Sequence, residues 1–215
     1  MKWIDTLHET RVHRRRIRVL ARAAAAALPA GLRVLDVGCG DGQFAAALRA
    51  RRPDLTIEGA EVLPRPGCQI PVTAFDGRAL PFPDGAFGAS LLIDVLHHTE
   101  SPAALLAEAA RVGAGNVLLK DHLREGLAAA PCLRFMDIVG NRRYGVALPF
   151  KYLDAGEWRE VLAACRLTEA TRDPLEDLYP FPANLLFGRR LHFMALLVSL
   201  PAATGAGHAG FSPSQ

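Results

Sequence analysis

The sequence lacks several features that mark special classes of protein. Its 215 residues include only four cysteines, which form no Cys-x-x-Cys pair and show no metal-ligand spacing. They predict reduced thiols in a cytoplasmic compartment. The longest nearly apolar run, LHFMALLVSL at 191–200, is too short for a membrane helix and contains His192. No internal repeat is present.

Acidic residues are scarce at the start of the chain. Residues 1–22 carry seven Lys and Arg against two Asp and Glu, a local charge of +5 in a chain of net charge +3. We interpret residues 1–30 as an N-terminal helix that docks on the protein with its arginines outward. Nucleic-acid binding is the alternative reading of these charges. The apolar stripe of the helix consists of Ile17, Leu20, Ala24 and Leu28.

After this helix, apolar β-type runs alternate with helical stretches. Ser101 and Pro102 mark one helix start, and Asp154 and Glu157 are spaced as a capping box at another. The alternation predicts a parallel sheet covered on both faces, in a single domain over residues 1–200. The predicted strands are 32–38, 55–62, 72–75, 88–98, 116–122, 166–172 and 191–198, and the predicted helices are 44–53, 101–113 and 154–165.

Three glycines at alternate positions follow the first predicted strand, in the run VLDVGCGDGQF at 34–44. Glycines allow the backbone to reverse and allow a ligand to lie against it without meeting a Cβ. The spacing Gly-x-Gly-x-Gly differs from the Gly-x-Gly-x-x-Gly of dinucleotide-binding loops. Asp36 and Asp41 flank the loop, and their charge disfavours a pyrophosphate. The run therefore predicts a cradle for a ligand that is cationic at its reactive end.

This run resembles motif I of class I S-adenosylmethionine-dependent methyltransferases. The resemblance continues through EGAEV, FDGRALPFPDGAFG, LLIDVLHHTESPAALLAEAARV and NVLLKDH, over about residues 30–122. The order of motifs is typical of the small-molecule methyltransferases that include quinone-biosynthesis enzymes. It implies an α/β fold with a doubly wound, mostly parallel, seven-stranded Rossmann-like sheet, helices on both faces and an antiparallel C-terminal strand. It also implies S-adenosyl-L-methionine as the cofactor.

The resemblance further implies a role for each residue of the cofactor site. Asp36 orders the loop and holds the amino acid end of the cofactor, and Glu61 accepts hydrogen bonds from both ribose hydroxyls. Val62 packs on the adenine, Asp76 accepts from its amine, and Asp94 lies under the methionine arm. The implied cofactor-binding residues are Asp36, Gly38, Cys39, Gly40, Gly42, Glu61, Val62, Asp76, Gly77, Arg78 and Asp94.

Three histidines follow the fourth and fifth predicted strands, where the acceptor of the methyl group would lie. Methyl transfer is an in-line displacement, so a base is needed only if the acceptor is protonated. His122 is the predicted base or acceptor-orienting group, at the rim of the site with a pKa near the usual value of about 6.5. His97 and His98 are the next candidates, with a wall position as their alternative reading. A metal site that combines Asp94 and Asp121 with His97 and His122 is rejected, because neighbouring strand residues point to opposite faces.

Residues 123–153 lack clean periodicity, and we interpret them as a substrate lid after the fifth strand. They mix basic and aromatic side chains, which suits an anionic or aromatic small molecule; a solvated lid whose aromatics pack onto the domain is the alternative. The tail at 201–215 is rich in Ala, Gly, Pro and Ser and predicts disorder. The basic and aromatic residues of the lid are Arg134, Phe135, Arg142, Arg143, Tyr144, Phe150, Lys151 and Tyr152.

The predicted function is methyl transfer from S-adenosylmethionine to a small molecule. No [DN]PP[YF] motif follows the fourth strand, which disfavours methylation of amino groups on nucleobases or glutamine. A non-methylating enzyme that uses the same cofactor, such as a cyclase, and a non-catalytic cofactor-binding subunit stay open. An RNA methyltransferase is less favoured, because no separate RNA-binding module is present.

Overall fold

The computed structural model describes residues 12–141, 148–188 and 190–201, and the predicted disordered tail therefore lies outside the described residues from 202 onward. The helices are α1 (Arg14–Ala27), α2 (Gln43–Arg51), α3 (Pro102–Val112), α4 (Ala129–Asn141), α5 (Ala155–Ala164) and α6 (Ala183–Phe187). The strands are β1 (Arg33–Val37), β2 (Thr56–Glu61), β3 (Val72–Ala74), β4 (Ala89–Ile93), β5 (Asn116–His122), β6 (Leu167–Asp173) and β7 (His192–Ser199).

The described strands form one seven-stranded sheet in the order β3-β2-β1-β4-β5-β7-β6. Neighbours from β3 to β5 are parallel, and β7 runs antiparallel to both β5 and β6. This confirms the predicted mostly parallel sheet with an antiparallel strand near the C-terminus. The strand order reverses next to β1, so the carboxyl ends of β1 and β4 flank a crevice, which is where such sheets bind ligands.

Two apolar layers cover the sheet. Val34, Leu91 and Leu118 face the layer that contains α1 and α2, and each is fully buried. The residue after each of these faces the opposite layer, which contains α3 and α5. Burial on both faces explains why the central strands are nearly continuous apolar runs rather than alternating ones.

The capping box predicted at the start of α5 is confirmed. The Asp154 carboxylate accepts hydrogen bonds from the amides of Gly156 and Glu157, and the Glu157 carboxylate accepts from the amide of Asp154 at 2.8 Å. One turn later, the indole Nε1 of Trp158 donates to the carbonyl of His122 at 3.0 Å. The cap thus fixes the helix that holds the end of β5.

The strand predicted over 88–98 is too long. β4 ends at Ile93, since Asp94 has a φ of 59°, in the left-handed region that breaks a strand. Leu96–His98 then form a 3₁₀ turn. His97 and His98 consequently belong to this turn and do not alternate as strand residues.

Residues 123–153 contain a helix, α4, that the sequence analysis did not predict. Pro131 lies in its first turn, where no intrahelical amide bond is lost. Phe135, Ile138 and Val139 are exposed, although they are apolar. The helix therefore shows no clean division into an apolar and a polar face, which hides its periodicity in the sequence.

The first helix docks as predicted through Leu20, Ala24 and Leu28, which are buried. Arg16 is an exception to the predicted outward arginines, because its guanidinium Nη2 lies 2.8 Å from the Asp94 carboxylate. α1 therefore contributes a cation to the carboxyl edge of the sheet. Among the described residues, none of the helices combines the length and the apolar character that crossing a bilayer requires.

Candidate functional site

The glycine loop is an open backbone turn between β1 and α2. Gly38, Gly40 and Gly42 have φ of 72°, 59° and 75°, a conformation that residues with a Cβ rarely adopt. A Cβ on Gly38 would lie 2.7 Å from a methyl group of Val95. At Gly40, the nearest atom to such a Cβ is 3.8 Å away, on the Arg65 guanidinium. A Cβ on Gly42 would lie 3.0 Å from the Sγ of Cys68, so Gly38 and Gly42 make room for neighbouring residues, and Gly40 is the glycine of this loop that presents bare backbone to open space.

Glu61 ties the end of β2 to the glycine loop. Its Oε2 accepts a hydrogen bond from the amide of Gly40 at 2.8 Å, and its Oε1 accepts from the amide of Val62 at 2.8 Å. Oε1 also accepts a longer bond from the amide of Leu63 at 3.4 Å, whereas Oε2 retains a further lone pair. The structure therefore places the carboxylate implied to bind the ribose directly beside the loop implied to hold the rest of the cofactor.

Asp36 lies beneath the loop and is 2% exposed. Burial, together with the charge of Glu61, raises the pKa of Asp36 to about 8. Asp36 and Glu61 are therefore close to each other, and Asp36 ionises with difficulty while Glu61 is charged. A cationic ligand would favour the charged form of both, which fits the ammonium and sulfonium of S-adenosylmethionine.

The residues implied to hold the adenine lie after β2 and β3. Asp76 is exposed, and its Oδ1 accepts from the amides of Arg78 at 2.8 Å and Ala79 at 2.9 Å, which lowers its pKa. A Cβ on Gly77 would lie 3.4 Å from Val62, so these two residues are neighbours. Val62 is 47% exposed, as an apolar residue that packs against a ligand would be. These residues fit an exposed adenine slot.

Cys39, within the loop, points away from the open side. Its Sγ would lie 2.4 Å from a Cβ on Gly59 of β2, and burial raises the pKa of its thiol. The Cys39 side chain is therefore a packing group, and only its backbone is available to a ligand.

Asp94 has a different environment from the other implied cofactor residues. Its carboxylate pairs with the Lys120 ammonium and with the Arg16 guanidinium. Burial disfavours the charged form, but the two cations outweigh it and hold the pKa of Asp94 well below its usual range. Lys120 is fully buried, and burial lowers its pKa although Asp94 opposes the shift. The carboxylate of Asp94 is thus already engaged by the protein.

His97 is buried between two carboxylates. Its Nδ1 lies 2.7 Å from Asp121 Oδ1, and its Nε2 lies 3.4 Å from Asp137 Oδ1. Burial opposes the charged form of this imidazole, but Asp121 and Asp137 outweigh it and raise the pKa of His97 to about 10. The Tyr152 hydroxyl donates to Asp137 at 2.6 Å, so the segment after β5 closes over this group.

His122 lies beside His97 and is only 4% exposed. The two Nδ1 atoms are 3.3 Å apart. Burial, with the charges of His97 and Lys120, lowers the pKa of His122 to about 4. The expectation of a rim position and a pKa near 6.5 was therefore wrong: His122 is a buried, neutral imidazole. Its Nε2 has no hydrogen-bond partner among the described residues.

Contrary to the prediction, acids and histidines of this region do converge. Ligand atoms of Asp94, His97 and His122 lie within 4.8 Å of one another. Strand alternation does not separate them, because Asp94 follows the strand end and His97 belongs to the 3₁₀ turn. Asp121 is the strand residue that does alternate, and its carboxylate still reaches the turn through the amide of Leu96 at 3.1 Å.

Several of the charged and polar residues at the ends of β4 and β5 were not predicted as site residues. A lysine inside the apolar run NVLLKDH was the one available signal, since a buried lysine needs a partner. The others come from elements distant in sequence and give no local signal. The unpredicted members are Arg16, Lys120, Asp121, Asp137 and His192, and Tyr152 of the predicted lid joins them. Together with Asp94, His97 and His122, they are called the polar cluster below.

A known protein family matches most of the chain. The family, described as "Methyltransferase domain", matches residues 8–165. The chain belongs to this methyltransferase family. This agrees with the resemblance to class I S-adenosylmethionine-dependent methyltransferases that the motifs carry. No curated protein matches the chain in sequence.

Three solved structures that share the fold of this chain have different names and activities. One is a chain of the complex between the Haloferax volcanii Trm112 methyltransferase activator and a methyltransferase, with TM-score 0.65, 18% identity, and coverage of 91% of this chain and 92% of that chain. Another is the mitomycin 7-O-methyltransferase MmcR, with TM-score 0.60, 20% identity, and coverage of 85% and 54%. A third is the [4+2]-cyclase SpnF, with TM-score 0.59, 17% identity, and coverage of 85% and 80%.

Two adjoining groups of residues thus lie along one edge of the sheet. The glycine loop, Glu61 and the residues after β3 are suited to a nucleoside with a cationic arm. The polar cluster lies at the ends of β4 and β5, on the other side of the crevice. His98 lies next to this cluster, and burial with the charge of His97 lowers its pKa.

Proposed function

We propose that this methyltransferase domain binds S-adenosylmethionine at the carboxyl ends of β1–β3 and methylates a small molecule at the ends of β4 and β5. The observation that carries the proposal is the joining of the open glycine loop to Glu61 by the 2.8 Å hydrogen bond from Gly40. When bound, S-adenosylmethionine supplies a methyl group activated by its sulfonium.

Each group of proposed cofactor-binding residues makes a different contact with the cofactor. Glu61 accepts hydrogen bonds from the ribose hydroxyls, with the long 3.4 Å bond from Leu63 as the one that a hydroxyl would replace at Oε1. Asp36 and Glu61 together favour a positively charged ligand. Gly40 admits the ligand to the backbone of a turn that Gly38 and Gly42 make possible. Val62 and the backbone after Asp76 provide an apolar surface and amide hydrogens for a planar base. Gly77 and Arg78 belong to that backbone, and Asp94 contributes through its position at the end of β4.

The burial of the acceptor side supports a small molecule as substrate. His97 is 2% exposed and His122 is 4% exposed, with Tyr152 packed over both rings at centroid distances of 5.8 and 5.6 Å. Burial of this kind suits a small acceptor, or a single inserted group, that is shielded from water during the transfer. The segment 123–153 is therefore proposed as the lid.

His122 is proposed as the group that orients the acceptor or takes its proton. Its ring is neutral and its Nε2 is available, so it can accept a hydrogen bond from an acceptor hydroxyl or amine. Trp158 and Asp121 fix its backbone through bonds to its carbonyl at 3.0 Å and its amide at 2.7 Å. His97 and His98 are proposed to form the adjacent wall.

The test is release of S-adenosylhomocysteine in the presence of candidate acceptors, with the product identified by mass spectrometry. A product heavier by one methyl group supports the proposal, and cofactor binding without release with any acceptor contradicts it. With an acceptor in hand, His122→Ala should lower turnover by about a hundredfold if His122 is the base. If it orients the acceptor, KM should rise instead. Normal turnover and normal KM would remove His122 from the mechanism.

A non-methylating reaction is the second candidate, because the fold is shared with the cyclase SpnF. In that case a product of unchanged mass would form, and S-adenosylhomocysteine would not be released. A partner protein is a third, since the fold is shared with a chain of a complex with a methyltransferase activator. Activity that appears only with a partner would favour it.

A further inference from the structure

A second group of potential ligands lies on the outer side of His97. It consists of His97 and His98 of the 3₁₀ turn and Asp137 of α4, and one ligand atom from each lies within 4.8 Å of the others. Two imidazoles and a carboxylate are a common ligand set for Zn²⁺ and related divalent ions.

The distance from His97 to Asp137 fits a shared ion better than a direct bond. Zn²⁺ binds nitrogen at about 2.0–2.1 Å and oxygen at about 2.0–2.2 Å, so two ligands of a tetrahedral ion are roughly 3.4 Å apart. His97 Nε2 and Asp137 Oδ1 are 3.4 Å apart. A charge-assisted N–H···O bond is shorter, at about 2.7–2.9 Å.

Outer hydrogen bonds already hold two of the ligands in place. His97 Nδ1 lies 2.7 Å from Asp121 Oδ1, which leaves Nε2 as the atom directed to Asp137. This is the carboxylate–histidine arrangement that orients metal-binding imidazoles. On Asp137, the other oxygen, Oδ2, accepts from the Tyr152 hydroxyl at 2.6 Å. The carboxylate is thereby oriented with Oδ1 toward His97.

His98 supplies the third observation. Its Nδ1 is buried and has no hydrogen-bond partner among the described residues. A buried polar atom without a partner is destabilising and rare in folded proteins. The atom belongs to the side chain that completes this group of ligands.

We propose that His97, His98 and Asp137 form a binding site for one divalent transition-metal ion, of which Zn²⁺ fits best. The ion takes the place of the proton on His97 Nε2, which leaves to solvent. Three protein ligands leave a fourth position for water or another oxygen ligand. Asp121 and Tyr152 are positioning residues. The alternative set of Asp94, His97 and His122 is disfavoured, because the Lys120 ammonium already occupies the Asp94 carboxylate.

The test uses the full, untagged chain, stripped of metal by a chelator that is then removed. Zn²⁺ is titrated calorimetrically, and Co²⁺ is titrated with visible absorption as the readout of a four-coordinate site. We expect one ion per chain, and a higher Tm with Zn²⁺ than without it. Failure to bind either ion below millimolar concentration would overturn the proposal.

Variants locate the ion. His98→Ala and Asp137→Asn should each weaken Zn²⁺ binding by about a hundredfold or more, and Asp121→Asn by about ten- to a hundredfold. His98→Ala is the most informative, because His98 Nδ1 makes no bond in the metal-free fold and its loss should leave metal-free Tm nearly unchanged.

The control is His192→Gln, since His192 is as deeply buried as His97 but its Nδ1 contacts Lys120 instead. It should keep the affinity for Zn²⁺. Equal affinity in wild type, His98→Ala and Asp137→Asn, or equal losses in all variants including His192→Gln, would overturn the assignment. Binding of S-adenosylhomocysteine is measured separately in metal-free protein, so failure of the metal site leaves the proposed function untouched.

Discussion

The two sides of the crevice are held together by different kinds of contact. On the β1–β3 side, carboxylates bond to backbone amides: Glu61 to Gly40, and Asp76 to the amides two and three residues onward. On the β4–β5 side, charged side chains bond to each other across long sequence separations, as Arg16 does to Asp94, 78 positions away. The first side is open, and the second is largely buried.

This difference assigns ligand binding to the β1–β3 side and stability of the fold to the β4–β5 side. An open edge shaped by backbone amides is preformed, and its carboxylates retain lone pairs for a ligand. A buried set of paired charges instead depends on every member, because removal of one leaves another charge without its partner. Substitutions on the first side should therefore act mainly on affinity, and substitutions on the second mainly on the free energy of unfolding.

The largest loss of stability is expected for Lys120→Met. The substitution leaves Arg16 as the remaining ion-pair partner of the Asp94 carboxylate. The Lys120 side chain is fully shielded from solvent, so water cannot replace its ammonium group. We expect a loss of about 3 kcal/mol in the free energy of unfolding, measured by urea denaturation. Lys151→Met is the matched control, since the exposed Lys151 ammonium donates to the backbone carbonyl of Glu100 rather than to a carboxylate. Equal losses in the two variants would contradict the comparison.

The double variant Asp94→Asn with Lys120→Met sharpens this result. Without the charge of Asp94, the loss of Lys120 leaves no unpaired carboxylate. The double variant should therefore be more stable than Lys120→Met alone. A strictly additive loss would show that the two side chains act independently.

The next effect concerns pH and the one buried acid on the open side. Asp36 has its pKa raised to about 8 in the folded protein, against about 3.9 in an unfolded chain. The folded state therefore retains a proton that the unfolded state loses, and the wild type loses stability as pH rises from about 4 to about 8. Asp36→Asn has no such proton to lose.

The stability of Asp36→Asn relative to wild type should consequently grow across that interval and stay constant above it. Urea denaturation at a series of pH values, without cofactor, measures the difference. A difference that is the same at pH 4 and pH 8 would show that Asp36 ionises normally in the fold.

The smallest effect is expected at the local capping box of α5. Asp154→Ala removes the acceptor for the amides of Gly156 and Glu157 and should lower Tm by a few degrees. Asp154→Asn retains an acceptor oxygen and should restore most of the loss. Thermal unfolding followed by circular dichroism distinguishes them, and identical Tm values for Ala and Asn would exclude the cap as the cause.

Features with a local origin were predictable from the sequence. The strand–helix alternation predicts the parallel sheet, and the spacing of Asp154 and Glu157 predicts the capping box that the structure confirms. The turn at the glycine loop is predictable for the same reason, because the left-handed φ of Gly38, Gly40 and Gly42 is a local property of glycine. Its contacts with Ala60, Glu61 and Gln69 come from other parts of the chain and were not predictable locally.

The polar cluster was not predictable, since its contacts join distant elements. No residue near Arg16 in the sequence indicates that its side chain turns inward, because its partner Asp94 is distant in sequence and directly follows β4. The left-handed φ of Asp94 ends β4 inside an apolar run that continues through Val95 and Leu96, so the strand was drawn too long. Asp137 reaches His97 only because α4 forms, and α4 lacks a clean apolar face.

Calorimetric titration of S-adenosylhomocysteine into the wild type, Glu61→Ala and Asp76→Ala tests the central claim most directly. The account predicts binding to the wild type, a loss of about 2–3 kcal/mol in binding free energy for Glu61→Ala, because two hydroxyls lose a charged acceptor, and a smaller loss for Asp76→Ala. NAD should not bind. Tight binding of NAD without a response to S-adenosylhomocysteine, or equal or absent losses in the two variants, would contradict it.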